Sequence, residues 1–235
     1  QYGFEPPRTK GLDTVGTVEG VIDGSVRGFI GLGGNFIRAA PETVRLEEAW
    51  RRLRLSVQVA TKLNRSHLVC GEVSLLLPCL GRLERDTQAS GDQIVTTEDS
   101  TACIHASFGD HEPAAPTLRS EPAIVAGIAM ATLEPDPRVP WQDWVDDYAR
   151  VRDAIEATYP EQFRDFNTRL GTPGGFPRPN PARERRWQTP SGKAEFVVPH
   201  TLDASGLGAR EGRLRLMTVR SNDQFNTTVY GYRDR

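Results

Sequence analysis

The chain has 235 residues, of which 37% are hydrophobic and 26% charged, a composition typical of globular proteins with many loops. Its 29 Lys and Arg residues against 31 Asp and Glu residues give a net charge of −2, which points away from nucleic acid or an anionic membrane as a partner. Apolar stretches such as Val73–Leu77 and Ala123–Leu133 are too short or too rich in small residues to span a bilayer.

The first third of the chain predicts a parallel sheet. Val26–Leu32 is typical of a buried strand, ended by Gly33-Gly34-Asn35, and Glu42–Leu55 has near-helical apolar spacing after Pro41. Ser56–Ala60 and Val73–Leu77 are predicted as the second and third strands. Alternating strands and helices predict an α/β fold, in which a parallel sheet is flanked by helices.

Around and after the sheet, the pattern predicts loops and helices. Gln1–Gly20 is predicted as a lead-in loop, and Gly81–Ser107 as a long surface loop with one short strand at Gln93–Thr97. Glu121–Leu133, with proline at its second position, is predicted as a buried helix.

A helical segment and a linker are predicted to follow. Trp141–Thr158 and Pro160–Leu170 have the pattern of amphipathic helices. Gly171–Pro181 is too rich in glycine and proline for a helix or a central strand, and is predicted as a linker.

The turn Gly33-Gly34-Asn35 is a candidate nucleotide contact, because open α/β sheets bind nucleotides where parallel strands end. Glycines allow a phosphate to approach the backbone, and the start of a following helix favours negative charge. The turn is neither G-x-G-x-x-G nor a P-loop, which disfavours NAD and ATP. The alternative is an ordinary tight turn.

Thr61, Lys62 and Asn64 follow the second predicted strand at the same edge of the sheet. Lys62 could neutralise a pyrophosphate or be a plain surface lysine. No Ser/His/Asp or Cys/His arrangement indicates a catalytic residue, and Cys70, Cys79 and Cys103 lack the spacing of a metal site. Buried or free thiols are the expectation for the cysteines.

Four ordered segments carry a family resemblance. They are W-Q-T-P-S-G-K-A-E-F at 187–196, T-V-R-S-N-D-Q-F-N-T-T at 218–228, Val21–Phe36 and Val57–Pro78. Together they resemble the formate-dehydrogenase-like α subunits of the molybdopterin oxidoreductase family. The resemblance extends over essentially the whole chain.

The resemblance implies an internal fragment of a larger enzyme. Residues 1–135 would be a Rossmann-like dinucleotide-binding domain, of the type of the third domain of formate dehydrogenase. Residues 136–182 would be a helical extension with a Pro/Gly linker. Residues 183–235 would be a hinge and the first strands of an incomplete β-barrel domain that binds the molybdopterin dinucleotide.

The resemblance also implies a cofactor. The full enzyme would hold molybdenum in bis-molybdopterin guanine dinucleotide, with a [4Fe–4S] cluster in a domain absent here, and neither is expected on the isolated fragment. Its partners would be the remaining domains and an electron-transfer protein, with the cytoplasm as default compartment. Besides the two turns already named, the cofactor-binding residues it implies form a polar set: Thr218, Arg220, Ser221, Gln224, Asn226 and Thr227. That set could instead be a polar edge strand.

One departure from the family pattern concerns the guanine. Many family members have an acidic residue where this chain has Ala60 or Thr61, and Asn64 or Glu84 are the candidates to replace it. Two other hypotheses therefore stand beside the oxidoreductase: a stand-alone α/β nucleotide or ligand binder, and a scaffold that keeps the fold without the cofactor.

Overall fold

The structure is a computed structural model, and it describes residues 2–197, Gly212, Leu214, 224–225 and 228–229. Residues 1–178 form one compact unit and residues 179–235 a second. The two units are described separately. The domain boundaries predicted at 135 and 182 stay predictions.

The first unit begins with a parallel β-sheet and the helices that connect its strands. The strands are β1 (Gly28–Leu32), β2 (Leu55–Ala60) and β3 (Val73–Pro78), in the spatial order β1-β2-β3 and parallel throughout. The helices are α1 (Thr14–Asp23), α2 (Phe36–Ala39), α3 (Thr43–Trp50) and α4 (Arg65–Leu68). The predicted α/β arrangement, a parallel sheet flanked by helices, is confirmed.

The lead-in loop predicted at Gln1–Gly20 is wrong from Thr14 onward, because helix α1 begins at that residue. The Asp13 side chain accepts a hydrogen bond from the backbone N–H of Gly16 (2.9 Å) and so caps the first turn. Gly24, at φ 86°, ends the helix in the left-handed conformation. Val18 and Val21 are buried, so packing fixes a helix in a stretch of low helix propensity.

The main core lies between the sheet and the helices α1 and α3. Its buried members are Val18, Val21, Ile37, Ala40, Leu46, Ala49, Trp50, Leu53 and Val69. The ring of Trp50 lies 4.7 Å from that of Phe29 on β1, and Phe36 lies 4.9 Å from Phe29, measured between ring centroids. The predicted helix Glu42–Leu55 is shorter than expected, since α3 ends at Trp50.

The segment Gly81–Ser107, predicted as a long surface loop with one short strand at Gln93–Thr97, has four short strands, one of which overlaps the predicted strand. It contains β4 (Thr87–Gln88), β5 (Gly91–Asp92), β6 (Val95–Glu98) and β7 (Cys103–Ser107). Strands β4 and β5 pair with each other, and β6 pairs with β7, both antiparallel. Short-range hairpin pairing gives this polar stretch its order despite its low apolar content.

The rest of the unit is helical. Its helices are α5 (Glu121–Thr132), α6 (Trp141–Asp146), α7 (Tyr148–Thr158), α8 (Pro160–Phe163) and α9 (Phe166–Leu170). The helix predicted at Glu121–Leu133 is confirmed: Ile124, Ala126 and Ala129 are buried, whereas Val125 and Met130 are exposed. Each of the two later predicted helices is broken in two. The breaks lie at Asp147, which is extended (φ −152°), and at Asp165, which is left-handed (φ 54°).

The predicted linker Gly171–Pro181 contains the edge strand β8 (Phe176–Pro177), which pairs with β7. Phe176 is buried with Ile104, Phe166 and Leu170, so this stretch is part of a second core rather than a linker alone. Proline is tolerated in β8 because an edge strand can lack one N–H donor.

In the second unit, residues 179–197 have turns and bends without helix or strand. The strands β9 (Gln224–Phe225) and β10 (Thr228–Val229) form an antiparallel pair. Of the polar set predicted to bind the pterin, only Gln224 has a described backbone, and Thr218, Arg220, Ser221, Asn226 and Thr227 lie outside the described residues. In the described parts of both units, none of the helices is long and apolar enough to cross a membrane.

Candidate functional site at the carboxyl edge of the sheet

The glycine turn lies where β1 ends, as predicted. Gly33 and Gly34 have φ of 71° and 77°, the left-handed region that favours glycine. The N–H of Gly33 donates to the carbonyl of Val59 at 2.8 Å, which ties the turn to β2. Among the described residues, no atom lies within 4 Å of a Cβ placed at either glycine, so the space outside the turn is open there. A ligand could therefore approach this backbone closely.

Asn64 joins the glycine turn to the loop after β2. Its side-chain Nδ2 donates to the carbonyl of Gly34 (2.8 Å), and its Oδ1 accepts from the N–H of Ser66 (2.9 Å). The hydroxyl of the buried Ser66 donates to Oδ1 of Asn35 (3.1 Å) and accepts from the N–H of Ile37 (3.2 Å). The structure thus brings Gly34, Asn35 and Asn64 together, although each is already bonded within the chain.

Sequence reasoning missed Ser66, the residue that links the two loops. The available signal was Asn64 itself, since asparagine is among the preferred helix N-caps and places the next residues in a first turn. The four-residue helix α4 follows it.

The sequence predicted that the start of a helix after the glycine turn would favour negative charge, but the structure has no long helix there. The helix that follows the turn, α2, has only four residues, and the next, α3, begins at Thr43. A single turn sums too few peptide dipoles to attract an anion strongly. Any attraction of a phosphate to this edge must come from backbone N–H groups and cationic side chains.

Thr61 and Lys62 line a cleft of about 920 Å³, here called the carboxyl-edge cleft. Gly33, Gly34, Asn35 and Asn64 are not among its lining residues. Its walls come from the ends of β2 and β3, the loops that follow β3 and β7, strand β6 and the start of α5: Thr61, Lys62, Pro78–Glu84, Asp86, Gln93, Val95–Thr97, Ser107–Gly109, Ala114, Ala115, Leu118 and Ser120–Pro122. The predicted cofactor residues therefore divide into two groups.

The cleft carries both signs of charge. Lys62 and Arg82 supply cations, and Arg82 donates to the hydroxyls of Thr97 (2.6 Å) and Ser107 (3.3 Å). Glu84 and Glu121 supply carboxylates. Cations with neighbouring hydroxyls suit an anionic group, and the acids suit a donor such as an amine or amide N–H.

Both proposed replacements for the family's acidic residue are engaged in bonds within the chain. The carboxylate of Glu84 accepts from the backbone N–H groups of Gly81 and Ala114, each at 2.5 Å, and these bonds lower its pKa. Asn64 has the partners given above. A guanine bound by either side chain would have to share or replace an existing bond.

Cys79 lies at the end of β3 in the wall of the cleft, where it is buried. Burial raises the pKa of its thiol, and the negative charges of Glu121 and Glu84 raise it further. The thiol therefore stays protonated and is a poor nucleophile or metal ligand. Cys70 is exposed, Cys103 is half-buried, and within the described ranges no group of three or more His, Cys, Asp or Glu residues could hold a metal ion.

A buried polar network behind the cleft was not predicted from the sequence. The hydroxyl of Tyr148 donates to Asp86 Oδ2 (2.6 Å) and lies 2.6 Å from the hydroxyl of Ser120, while its backbone N–H donates to Gln93 Oε1 (2.8 Å). Burial and then the Asp86 carboxylate raise the pKa of Tyr148. Because Asp86, Gln93 and Ser120 also line the cleft, the network fixes its inner wall. Ser120 before Glu-Pro is recognisable as a helix cap, but Asp86 has no such signal.

We expect His67 to make the stability of this edge depend on pH. Its Nδ1 accepts the N–H of Asn64 (2.9 Å), and burial lowers its pKa below the ordinary 6.5. The unfolded chain therefore binds a proton at His67 more readily than the folded chain does. The contribution of His67 to stability is complete above about pH 6.5 and is lost as the pH falls below it. Protonation removes the acceptor, which should cost about 1 kcal/mol between pH 7.5 and 5.5 in urea unfolding.

The matched variant is His67→Gln, whose side-chain oxygen can accept the same N–H without titrating. Its free energy of unfolding should change less between the two pH values than that of the unaltered chain. An equal change in both proteins would remove His67 as the cause.

The sequence comparisons reveal relatives along the whole chain. No protein-family model matches it. Protein YdeP of Escherichia coli strain K12 is 48% identical over 235 residues, and the Uncharacterized oxidoreductases Rv2900c of Mycobacterium tuberculosis strain H37Rv and Mb2924c of Mycobacterium bovis are each 44% identical over 236 residues. All of this chain is covered in each alignment, but it spans only 30–31% of the relatives' own length. Relatives named oxidoreductases thus support a general oxidoreductase role.

Proposed function

We propose that this chain is the cofactor-positioning part of a larger oxidoreductase of the formate-dehydrogenase-like molybdopterin family. The observation that carries the oxidoreductase role is the 44% identity, along the entire chain, to bacterial proteins named oxidoreductases. The finer assignment rests on the resemblance of the four sequence segments to that family, on a parallel sheet and on an open turn at its carboxyl edge.

The residues at this edge fit the pyrophosphate of a dinucleotide by their chemistry. The turn at Gly33 and Gly34 has no side chains and open space outside it, and Thr61 and Lys62 add a hydroxyl and a cation. The glycine turn and, from the carboxyl-edge cleft, Thr61 and Lys62 would hold phosphates of bis-molybdopterin guanine dinucleotide. When bound, the molybdenum centre supplies two-electron transfer, and this chain binds and orients the group. The polar set at 218–227 is proposed to contact the pterin.

The test is the metal and nucleotide content of the longer gene product that contains this chain. The protein would be purified without oxygen from cells that make the molybdenum cofactor. Molybdenum, together with GMP released by acid hydrolysis, is the expected result. A protein free of metal and of GMP would contradict the proposal and favour the cofactor-free scaffold, to which the absent carboxylate at Ala60 and Thr61 points.

In the same longer protein, Lys62→Gln should lower the retained GMP about tenfold after dialysis, because a charge-assisted bond to a phosphate is lost. The control is Lys10→Gln, an exposed lysine whose nearest charged partner is Asp13 at 3.9 Å. It should keep the full nucleotide content. Equal GMP in all three proteins would show that Lys62 is a plain surface lysine.

A second candidate is a stand-alone nucleotide binder, favoured by the fact that both the glycine turn and the carboxyl-edge cleft lie within the first compact unit. It predicts that the 235-residue chain binds GMP or GDP in calorimetric titration. Under the cofactor-positioning proposal, simple nucleotides bind this chain weakly, because the remaining domains supply the other contacts.

A further inference from the structure

One face of the parallel sheet is covered within this chain over β1 and β2, whereas Leu76 of β3, on the same face, is 44% exposed. Phe29 of β1 packs against the core formed by α1 and α3, and Ser56 and Gln58 of β2 are buried on the same side. Alternation along a strand places the intervening residues on the opposite face.

On that opposite face Val57 and Val59 of the central strand are buried, but five other apolar side chains are exposed to solvent. Ile30 is 61% exposed, Leu32 54%, Val73 51%, Leu75 48% and Leu55 36%, and these five residues are here called the open face. The register places Ile30, Val57 and Leu75 side by side, so the exposed side chains lie on both outer strands of one surface.

Helix α5 covers only one end of this surface. Ile124 packs with Val59 and Cys79, and Leu77 and Ile128 pack against that cluster. The open face begins where this helix cover stops. All its residues are aliphatic, with no charge or hydrogen-bonding side chain among them.

Folded proteins rarely leave such a surface exposed to water. Parallel sheets occur almost only with both faces covered, usually by helices, and contiguous exposed apolar patches mark interaction sites. A polar or charged occupant would leave its own groups without partners against these aliphatic side chains. The occupant must therefore present an apolar surface.

We propose that the open face docks an amphipathic helix supplied by the longer protein, from sequence outside residues 1–235. The chain matches 31% of the length of Protein YdeP, so a relative of this kind has ample further sequence to provide a cover. A helix is favoured because α1 and α3 cover the other face, and α5 covers part of this one, in the same way.

This inference concerns an interface within the longer protein and does not depend on the molybdenum cofactor. A longer protein free of metal and GMP could still bury the open face. Conversely, a metal-loaded protein could leave the face exposed, so the two proposals fail separately.

Hydroxyl-radical footprinting read by mass spectrometry tests the interface directly. In the 235-residue chain, Leu32 and Leu75 should be modified rapidly, and in the longer protein several-fold more slowly, approaching the rate of the buried Val59. Equally rapid modification in both proteins would overturn the proposal. So would concentration-dependent protection in the short chain together with sedimentation as a dimer, since the occupant would then be a second copy.

A substitution gives an independent readout. Leu75→Lys should leave the urea midpoint of the 235-residue chain nearly unchanged, because its side chain is half exposed there. In the longer protein Leu75→Lys should lower the urea midpoint clearly. The apolar variant Leu75→Val should keep the midpoint near that of the unaltered protein. A Leu75→Lys protein as stable as the unaltered protein in both contexts would contradict the docking of a helix.

Discussion

Trp50→Ala is expected to lower the free energy of unfolding by about 3–5 kcal/mol, the cost typical of removing a fully buried large aromatic side chain. Trp50 has no exposed surface and lies at the centre of the main core, against the rings of Phe29 and Phe36. Its loss would leave a cavity between α3 and the sheet. Urea unfolding followed by circular dichroism measures the change.

Trp50→Phe is the matched control. The indole N–H of Trp50 is buried without a hydrogen-bond acceptor among the described residues, so phenylalanine removes an unsatisfied donor and keeps most of the ring contacts. We expect its cost to be less than half that of alanine. Equal losses in the two variants would mean that ring packing does not stabilise this core.

Gly109→Ala is expected to cost about 3 kcal/mol, the upper range for overpacking, and to deform the carboxyl-edge cleft. A Cβ there would lie 2.2 Å from the carbonyl oxygen of Glu84 and 2.4 Å from the carbonyl carbon of Leu83. Because these are backbone atoms, the clash cannot be relieved by a rotamer change. The segment around Gly109 would have to move away from the segment around Glu84. This movement breaks the backbone hydrogen bonds that join His111 to Leu83 (3.0 Å) and to Arg85 (2.7 Å).

The matched control is Gly127→Ala in α5, where a Cβ would meet nothing within 4 Å. Alanine favours the helix over glycine, so this variant should be stabilised by about 0.5–1 kcal/mol. Thermal unfolding of both variants separates the steric effect from a general effect of alanine. A Gly109→Ala protein as stable as the unaltered chain would show that the loop pair is not closely packed.

The parallel sheet could be predicted because its signals are local. The apolar run that ends at Leu32 is followed by a glycine turn, and Val73–Leu77 is a continuous aliphatic stretch of strand length. Helix α1 could not, because Thr14–Asp23 contains two glycines and several β-branched residues, and only its packing against the core makes it helical. The hairpin of β4 and β5 pairs two short polar segments, Thr87-Gln88 and Gly91-Asp92, which leaves no apolar period to read.

The sequence predicted which loops form the candidate site, but not which side chains in them contact each other. The order of strands and helices predicts that Gly33 and Asn64 lie in the loops after neighbouring strands. The structure places these two loops in contact. The link through Ser66 and the network of Tyr148 with Asp86 join residues far apart in the chain. Nothing in the local sequence encodes such pairings. The same holds for the division of the predicted cofactor residues, since Lys62 lines the carboxyl-edge cleft and the glycine turn does not.

The order of the strands bears on how the protein folds during synthesis. Neighbours in the sheet are also neighbours in the chain, since β1 pairs with β2 and β2 with β3. Each pairing joins residues 18–27 positions apart, and domains commonly fold as they leave the ribosome. The sheet with α1 and α3 can therefore assemble once residue 78 has emerged. The pairing of β7 with β8 must wait for residue 176, which makes the second core the later step.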